Sequence, residues 1–201
     1  MGVFGGTFDP IHIGHLAAAE RVRCVLDMEQ VIFVPARIPP HKLEVKISSE
    51  QNRLEMVSLA IKDNPFFSVS DIEFKRSGPS FTVETMEAFH RQYSTDELYF
   101  IMGMDSLLEL ETWKDVPRLT SLCRLVVASR PGYELHGEDS RLAHLSDDVW
   151  ARILIITVPG LDIAARDIRD YLANEQSVRY LLVPEVEAYI RNHGLYGVKN
   201  G

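Results

Sequence analysis

Short apolar runs alternate along this chain with segments in which apolar residues recur at helical spacing. Residues 98–102, 125–128 and 152–158 are compact apolar runs of the length expected for buried parallel strands. Amphipathic segments around Ala19 and Met86 separate runs of this kind. Strands joined through helices form right-handed βαβ units, so the pattern predicts an α/β fold with an open, mostly parallel sheet and helices on both faces.

The remaining elements follow from the same pattern and from local signals. Further strands are predicted at residues 3–4, 30–34 and 67–74. A capping box formed by Ser48 and Gln51 predicts the start of a helix, and a last helix is expected to begin near Pro184. The polar stretch 132–148 is expected to be a mobile loop. Since no repeat or linker interrupts the pattern, residues 1–201 are predicted to form a single Rossmann-like domain.

Composition excludes several classes of protein. The 46% hydrophobic and 25% charged residues are ordinary for a soluble globular chain, and no apolar run reaches the roughly 20 residues of a membrane span. The net charge of −8 argues against binding to nucleic acid or to an anionic membrane, although a small site can still attract an anion. Without a signal-peptide pattern, we expect a cytoplasmic protein whose Cys24 and Cys123 are buried free thiols. Its oligomeric state, homo-oligomer included, stays open.

The first sixteen residues carry the strongest chemical signal. An apolar run ends at Gly5 and Gly6, a Thr-Phe-Asp-Pro turn follows, and His12 and His15 stand where an Ala-rich helix is predicted to begin. Adjacent glycines allow a close backbone approach or a positive φ, and the N–H groups at a helix N-terminus attract anions. Each feature alone is also typical of a tight turn or a surface histidine. In this order they indicate a phosphate-handling nucleotide site, and no metal ligand is predicted among them.

Three later motifs follow predicted strands, at the edge of a parallel sheet where ligands bind. Lys42 ends a Pro-Pro-His-Lys loop and is a candidate to meet a phosphate as a point charge. Thr82 belongs to Gly-Pro-Ser-Phe-Thr, in which either it or Ser80 is also a candidate N-cap. Asp105 follows Ile-Met-Gly-Met and can accept hydrogen bonds from ribose hydroxyls.

Two further features have both a structural and a functional interpretation. Trp113 is surrounded by polar neighbours, which favours a cleft over the core, and there it can stack on a flat cationic ring with a gain of about 0.5–2 kcal/mol. Residues 162–169 are predicted to open a helix with Arg166 and Arg169 on one face. These arginines either bind phosphate or form a solvated face on which Arg166 pairs with Asp170.

Together these motifs resemble bacterial nicotinate-nucleotide adenylyltransferases, which belong to the nucleotidyltransferase superfamily with a His-x-Gly-His motif. The opening Gly-Gly-Thr-Phe-Asp-Pro-x-His-x-Gly-His string identifies the superfamily. Gly-Pro-Ser-Phe-Thr and Thr-Trp-Lys narrow it to the pyridine-nucleotide branch, and Ser-Arg-Pro-Gly and the closing Tyr-Ile-Arg-Asn-His-Gly-Leu-Tyr extend the match over nearly the whole chain. The resemblance implies transfer of AMP from Mg-ATP to nicotinate mononucleotide, which gives nicotinate adenine dinucleotide and pyrophosphate in NAD synthesis.

The resemblance also implies roles for individual residues. His12 and His15 hold the ATP phosphates, Lys42 meets phosphate, and Arg169 closes over the triphosphate. The remaining positions bind substrate: Gly5, Gly6, Thr7 and Phe8 at the mononucleotide and phosphate site, Thr82 and Trp113 at the pyridine ring, and Gly103 and Asp105 at the adenosine ribose.

The implied reaction needs no protein nucleophile. The attacking group is a phosphate oxygen, which is already anionic near neutral pH because the second pKa of a phosphate monoester is about 6. Catalysis then consists of aligning that oxygen with the α-phosphorus and neutralising charge as pyrophosphate leaves. Mg²⁺ is expected to arrive on ATP, held mainly by phosphate oxygens.

One segment departs from the family pattern. The family usually reads Ile-Ser-Ser-Thr-x-Ile-Arg, whereas this chain has Ala164, Ala165 and Arg166 in place of the three hydroxyl residues. Each lost hydroxyl contact is worth on the order of 1 kcal/mol, so ATP use is expected to be weakened but kept. Two other substrates, nicotinamide mononucleotide and phosphopantetheine, are alternatives for the same reaction. A nucleotide-binding sensor with little turnover is an alternative function, and the two alanines are the only feature that favours it.

Overall fold

A computed structural model of the chain describes residues 1–38, 47–132, 142 and 145–198. The strands are β1 Gly2–Gly6, β2 Val31–Pro35, β3 Phe67–Val69, β4 Tyr99–Gly103, β5 Arg124–Ser129 and β6 Ile153–Thr157. The helices are α1 Ile13–Val25, α2 Glu50–Ile61, α3 Thr82–Gln92, α4 Met104–Leu108, α5 Val116–Leu122, α6 Asp147–Trp150, α7 Ala165–Ala173 and α8 Pro184–Asn192. The predicted phosphate ligand Lys42 and most of the predicted loop 132–148 lie outside the described residues.

The six strands form one sheet in the order β3-β2-β1-β4-β5-β6, and every described pair is parallel. The chain proceeds outward from β1 to β3, returns to place β4 beside β1, and then proceeds outward to β6. The strand order therefore reverses between β1 and β4, where open parallel sheets form a crevice at the carboxyl ends of their strands. The predicted α/β Rossmann-like sheet is confirmed.

Helices cover both faces of the sheet because neighbouring residues of each strand point to opposite sides. On one side, Phe4 and Phe33 pack with buried residues of α1, α2, α7 and α8. On the other side, Val3 and Ile32 pack with buried residues of α3, α5 and α6. The strands are apolar on both faces, as the compact apolar runs of the sequence predict.

Some predicted boundaries are wrong for local reasons. The third strand ends at Val69 because the Ser70 hydroxyl accepts from the N–H of Ile72 at 3.3 Å, and a turn follows. Helix α2 begins one residue later than predicted, since the hydroxyl of Ser49 accepts from the Asn52 N–H at 3.2 Å. Ser48 instead donates its N–H to the carboxylate of Asp9 at 3.2 Å.

The two cysteines differ in burial. Cys123 is a buried free thiol as predicted, whereas Cys24 is free but exposed. Within the described residues, no helix combines the length and the apolar character that crossing a bilayer requires.

Candidate active site

A cavity of about 800 Å³ opens at the crevice between the ends of β1 and β4. It is lined by most of the predicted site residues: Gly5, Gly6, Thr7, Phe8, His12, His15, Thr82, Gly103, Asp105 and Trp113. Residues that the sequence places in four separate motifs thus share one cavity of the size that small ligands occupy. Arg169 is not part of the lining.

The two glycines belong to β1 rather than to the loop after it, and close packing explains them. A Cβ at Gly5 would lie 2.8 Å from the ring of Phe100, and one at Gly6 would lie 2.8 Å from the ring of Phe8. Positive φ is found instead at Phe8, at 49°, whose buried ring fills the space beside Gly6. Small residues therefore let two aromatic rings pack against the strand at the cavity floor.

His12 and His15 face each other at the start of α1. Their rings stack with centroids 3.6 Å apart, and the His15 Nδ1 accepts the N–H of His12 at 3.2 Å. An accepting Nδ1 places the ring proton of neutral His15 on Nε2, which makes Nε2 a donor. The ring of Phe8 packs edge-on against His15 at 5.2 Å and helps to fix its orientation.

The His12 ring is buried and keeps an unused polar atom. The residue is only 7% exposed, and its Nδ1 has no hydrogen-bond partner among the described residues. Gly14 leaves room for this ring, since a Cβ there would approach Nδ1 to 3.0 Å. A buried nitrogen without a partner is costly, and a ligand that engaged it would remove that cost.

The N–H groups at this helix end are partly used by the protein itself. His12 donates to His15, and the N–H of Ile13 donates to the carbonyl of Leu181 at 3.0 Å. Arg169 Nη1 donates to the carbonyl of Asp9 at 2.7 Å. In the structure, Arg169 therefore supports the loop before the histidines rather than lining the cavity.

Another part of the cavity lies where α3 begins. Thr82 is the first residue of α3, and neither Thr82 nor Ser80 is its N-cap, because Phe81 takes that position without a capping side chain. The Ser80 hydroxyl instead accepts the N–H of Arg37 at 2.9 Å. The half-buried Trp113 lies edge-on to Phe100, 5.9 Å between ring centroids, so the cleft position predicted for it agrees with the structure.

Comparison with known proteins gives the family. The model of cytidylyltransferase-like proteins matches residues 3–175. A protein of Moorella thermoacetica named "probable nicotinate-nucleotide adenylyltransferase" is 44% identical over 197 residues, which cover 98% of this chain and 91% of that protein. A protein of the same name from Desulfitobacterium hafniense is 42% identical over 198 residues, covering 98% and 96%. The chain belongs to the nicotinate-nucleotide adenylyltransferase family. The resemblance inferred from the motifs is thereby confirmed.

A solved structure shares the fold of this family member. Nicotinic acid mononucleotide adenylyltransferase of Plasmodium falciparum, complexed with NaAD, superposes with a TM-score of 0.81 at 18% sequence identity. The alignment covers 100% of this chain and 98% of that one.

The segment that departs from the family pattern also borders the cavity. Ala164 is the N-cap of α7 and makes no side-chain capping bond, and Ala165 is the first residue of the helix. Arg166 is 78% exposed and lies 3.6 Å from Asp167, so the predicted pairing with Asp170 is not the ion pair found. Because alanine has no polar side chain, the polar atoms that residues 164 and 165 offer to the cavity are those of the backbone.

Two polar groups in the lining have no role assigned from the sequence. Arg130 follows β5 and is paired with the carboxylate of Asp162. Glu73 is buried, and its carboxylate accepts from the hydroxyl of Thr85 at 2.6 Å. Arg130 belongs to the Ser-Arg-Pro-Gly motif, to which the sequence assigns no role, and no sequence signal singles out Glu73. Across the described ranges, no three His, Cys, Asp or Glu side chains lie close enough to hold a metal ion.

The burial of His12 has a measurable consequence for stability. Burial, followed by the positive charge of Arg130, lowers the pKa of His12 to about 4, against 6.5 when exposed. Between these values the unfolded chain binds a proton that the folded chain does not, so stability falls as the pH is lowered from about 6.5 to about 4. A pKa difference of roughly 2.5 corresponds to about 3 kcal/mol.

Urea unfolding between pH 4 and 8 measures this effect. We expect the stability difference between wild type and His12→Asn to shrink by up to about 3 kcal/mol as the pH falls through this window. His90→Asn, which removes an exposed histidine from α3, should keep the wild-type pH dependence. Parallel curves for wild type and His12→Asn would contradict the assignment.

Proposed function

We propose that this chain transfers AMP from Mg-ATP to nicotinate mononucleotide and releases nicotinate adenine dinucleotide and pyrophosphate. The observation that carries the proposal is one cavity lined both by a stacked histidine pair and by the half-buried Trp113. The first feature suits phosphates and the second suits a flat cationic ring. The names of the 41–44% identical relatives support the same activity.

The histidines are proposed to act on the ATP phosphates. His15 offers an Nε2–H donor, and His12 offers a buried nitrogen that gains a partner when an anion binds. Lys42 and Arg169 are proposed to add positive charge near the leaving pyrophosphate. No step needs a covalent enzyme intermediate, because the mononucleotide phosphate is itself the nucleophile.

The pyridine ring is proposed to bind between Trp113 and the start of α3. Helix α3 has eleven residues, so the positive end of its dipole and its first N–H groups favour a carboxylate there. Lys114 adds a positive charge, with Nζ 4.5 Å above the ring of Phe81, although Glu84 neutralises it in part at 2.7 Å. These features favour nicotinate over nicotinamide mononucleotide.

The proposal is tested by pyrophosphate release with Mg-ATP and three separate acceptors: nicotinate mononucleotide, nicotinamide mononucleotide and phosphopantetheine. Fast release with the first acceptor alone supports the reaction and the substrate. Faster release with either of the others overturns the substrate. If ATP binds but no mixture releases pyrophosphate, the proposed enzyme activity is overturned and a nucleotide sensor is favoured.

Restoring hydroxyls at the start of α7 should strengthen ATP binding. We expect the double variant Ala164→Ser and Ala165→Ser to lower the KM for ATP about fivefold, since a new hydrogen bond to phosphate contributes on the order of 1 kcal/mol. Ala173→Ser, at the other end of α7, is the matched control and should leave KM unchanged. Ser at position 164 also caps the helix, so higher thermal stability with an unchanged KM would contradict the phosphate contact.

A further inference from the structure

Arg53 is a fully buried cation that the proposed reaction does not use. It lies on α2 with 0% of its surface exposed. Its guanidinium donates to four backbone carbonyls: Ser48 at 3.0 Å, Thr7 at 2.9 Å, Ala36 at 2.6 Å and Arg37 at 3.2 Å. Removing a guanidinium from water is costly, and these bonds to dipoles, with Asp9 and Glu50 as the main nearby charges, compensate that cost.

Two of the four carbonyls belong to residues that line the cavity, and the other two lie close to it in the chain or beside the Pro-Pro-His-Lys motif. Thr7 follows β1 and lines the cavity, as does Ala36, which follows β2. Arg37 and Ser48 lie on the two sides of residues 39–46, the segment that contains Lys42. One side chain therefore joins residues 7–12, the glycine–histidine loop between β1 and α1, to both flanks of the Pro-Pro-His-Lys motif.

A second tie holds the same loop from the C-terminal end of the chain. The Asp9 carboxylate accepts from the hydroxyl of Tyr196 at 2.6 Å and from the N–H of Ser48 at 3.2 Å. Asp9 is 3% exposed, so both bonds are shielded from water. Tyr196 ends the Tyr-Ile-Arg-Asn-His-Gly-Leu-Tyr motif, for which the proposed function supplies no task.

We propose that Arg53, with Tyr196 as the second tie, is a positioning residue that fixes the glycine–histidine loop relative to Ala36, Arg37 and Ser48. The inference rests on the proposed function. Arg53 does not line the cavity, so it acts through the backbone that carries the phosphate-binding groups. In-line attack depends on the relative placement of those groups, and a shift of about 1 Å in such a site can cost up to roughly a hundredfold in rate.

A lysine cannot replace this guanidinium. Arg53 reaches three separate segments because its N–H groups point in fixed, divergent directions, whereas a lysine has a single nitrogen. We expect Arg53→Lys to lower kcat at least tenfold, while the KM values for both substrates change less than threefold. Activity is measured at a temperature at which circular dichroism shows the variant fully folded.

Val57→Ala is the matched control for lost stability. Val57 lies on the same helix, is also 0% exposed, and does not line the cavity. Its truncation should lower the melting temperature but leave kcat within twofold of wild type. If Arg53→Lys keeps a wild-type kcat, or if Val57→Ala lowers kcat as much, the positioning role is overturned.

If Arg53→Lys does not fold, the variant Tyr196→Phe tests the same role. It removes one hydroxyl. A kcat lowered about threefold supports the positioning role, and an unchanged kcat overturns it.

Native-state hydrogen exchange tests the positioning role without any substrate. The N–H of Ala36 donates to the carbonyl of Gly6 at 2.8 Å. Faster exchange of this N–H in Arg53→Lys, but not in Val57→Ala, supports the positioning role even if wild type releases no pyrophosphate; unchanged exchange overturns it.

Discussion

Replacing His15 by alanine is expected to lower kcat by about 100-fold to 1,000-fold while the protein stays folded. The His15 Nε2–H is proposed to donate to charge that develops on the ATP phosphates, and losing one such preorganised donor typically costs this much. The KM for nicotinate mononucleotide should change little, because the donor acts on the phosphates in the transition state. Steady-state pyrophosphate release with both substrates varied measures the two parameters separately.

Two companion variants separate chemistry from stability. His15 also caps the start of α1 through its Nδ1, so the alanine variant will be less stable by about 1 kcal/mol. His15→Asn can keep the capping acceptor without the Nε2 donor, and it should be as inactive as the alanine variant. His90→Ala removes an exposed histidine and should behave as wild type. A folded His15→Asn enzyme with near-normal kcat would contradict the proposed role.

The sheet and its crevice could be predicted because they depend on patterns that a sequence displays directly. Buried parallel strands need continuous apolar runs, and the runs near residues 100, 126 and 155 lie in β4, β5 and β6. Parallel strands end at one edge, so motifs that follow strands meet there regardless of their separation in the chain. This reasoning places His15 and Asp105 at one edge, whereas the polar neighbours of Trp113 predict its cleft position, and the roles of all three stay predictions.

The supporting residues could not be predicted because their partners exist only in the folded chain. The sequence predicts Arg53 on the polar side of a helix, and backbone carbonyls from three separate segments compensate the cost of its burial. Glu73 follows the short strand β3 in a segment predicted to be extended, and its carboxylate accepts from the Thr85 hydroxyl and from the Arg37 N–H. No spacing rule encodes such contacts, since each depends on where a loop comes to lie.

Arg169 makes a structural contact that its motif does not predict. Its Nη1 donates to the carbonyl of Asp9, while the contact with the triphosphate that the motif implies stays a prediction. Helix α7 also packs against the turn that contains Tyr196. Both features join the end of the chain to the glycine–histidine loop, which indicates that the C-terminal segment contributes to the order of the site.

Trp113→Ala is expected to raise the KM for nicotinate mononucleotide about 30-fold and to leave the KM for ATP within twofold. The indole borders the cavity beside Phe100, and stacking with cation–π attraction to a pyridinium ring contributes up to about 2 kcal/mol. The adenine nucleotide is proposed to bind beside Gly103 and the histidines, so its affinity should not depend on the indole. Initial rates over a grid of both substrate concentrations give the two KM values.

The contrast between two tryptophans makes this test specific. Trp150 is half-buried at the end of α6, packs against the same apolar cluster as Trp113, and does not line the cavity. Trp150→Ala should therefore cost stability without changing either KM. Trp113→Phe keeps an aromatic face and should recover most of the mononucleotide affinity. If Trp113→Ala raises the KM for ATP alone, the indole lies at the adenine nucleotide, and the pyridine ring must bind elsewhere in the cavity.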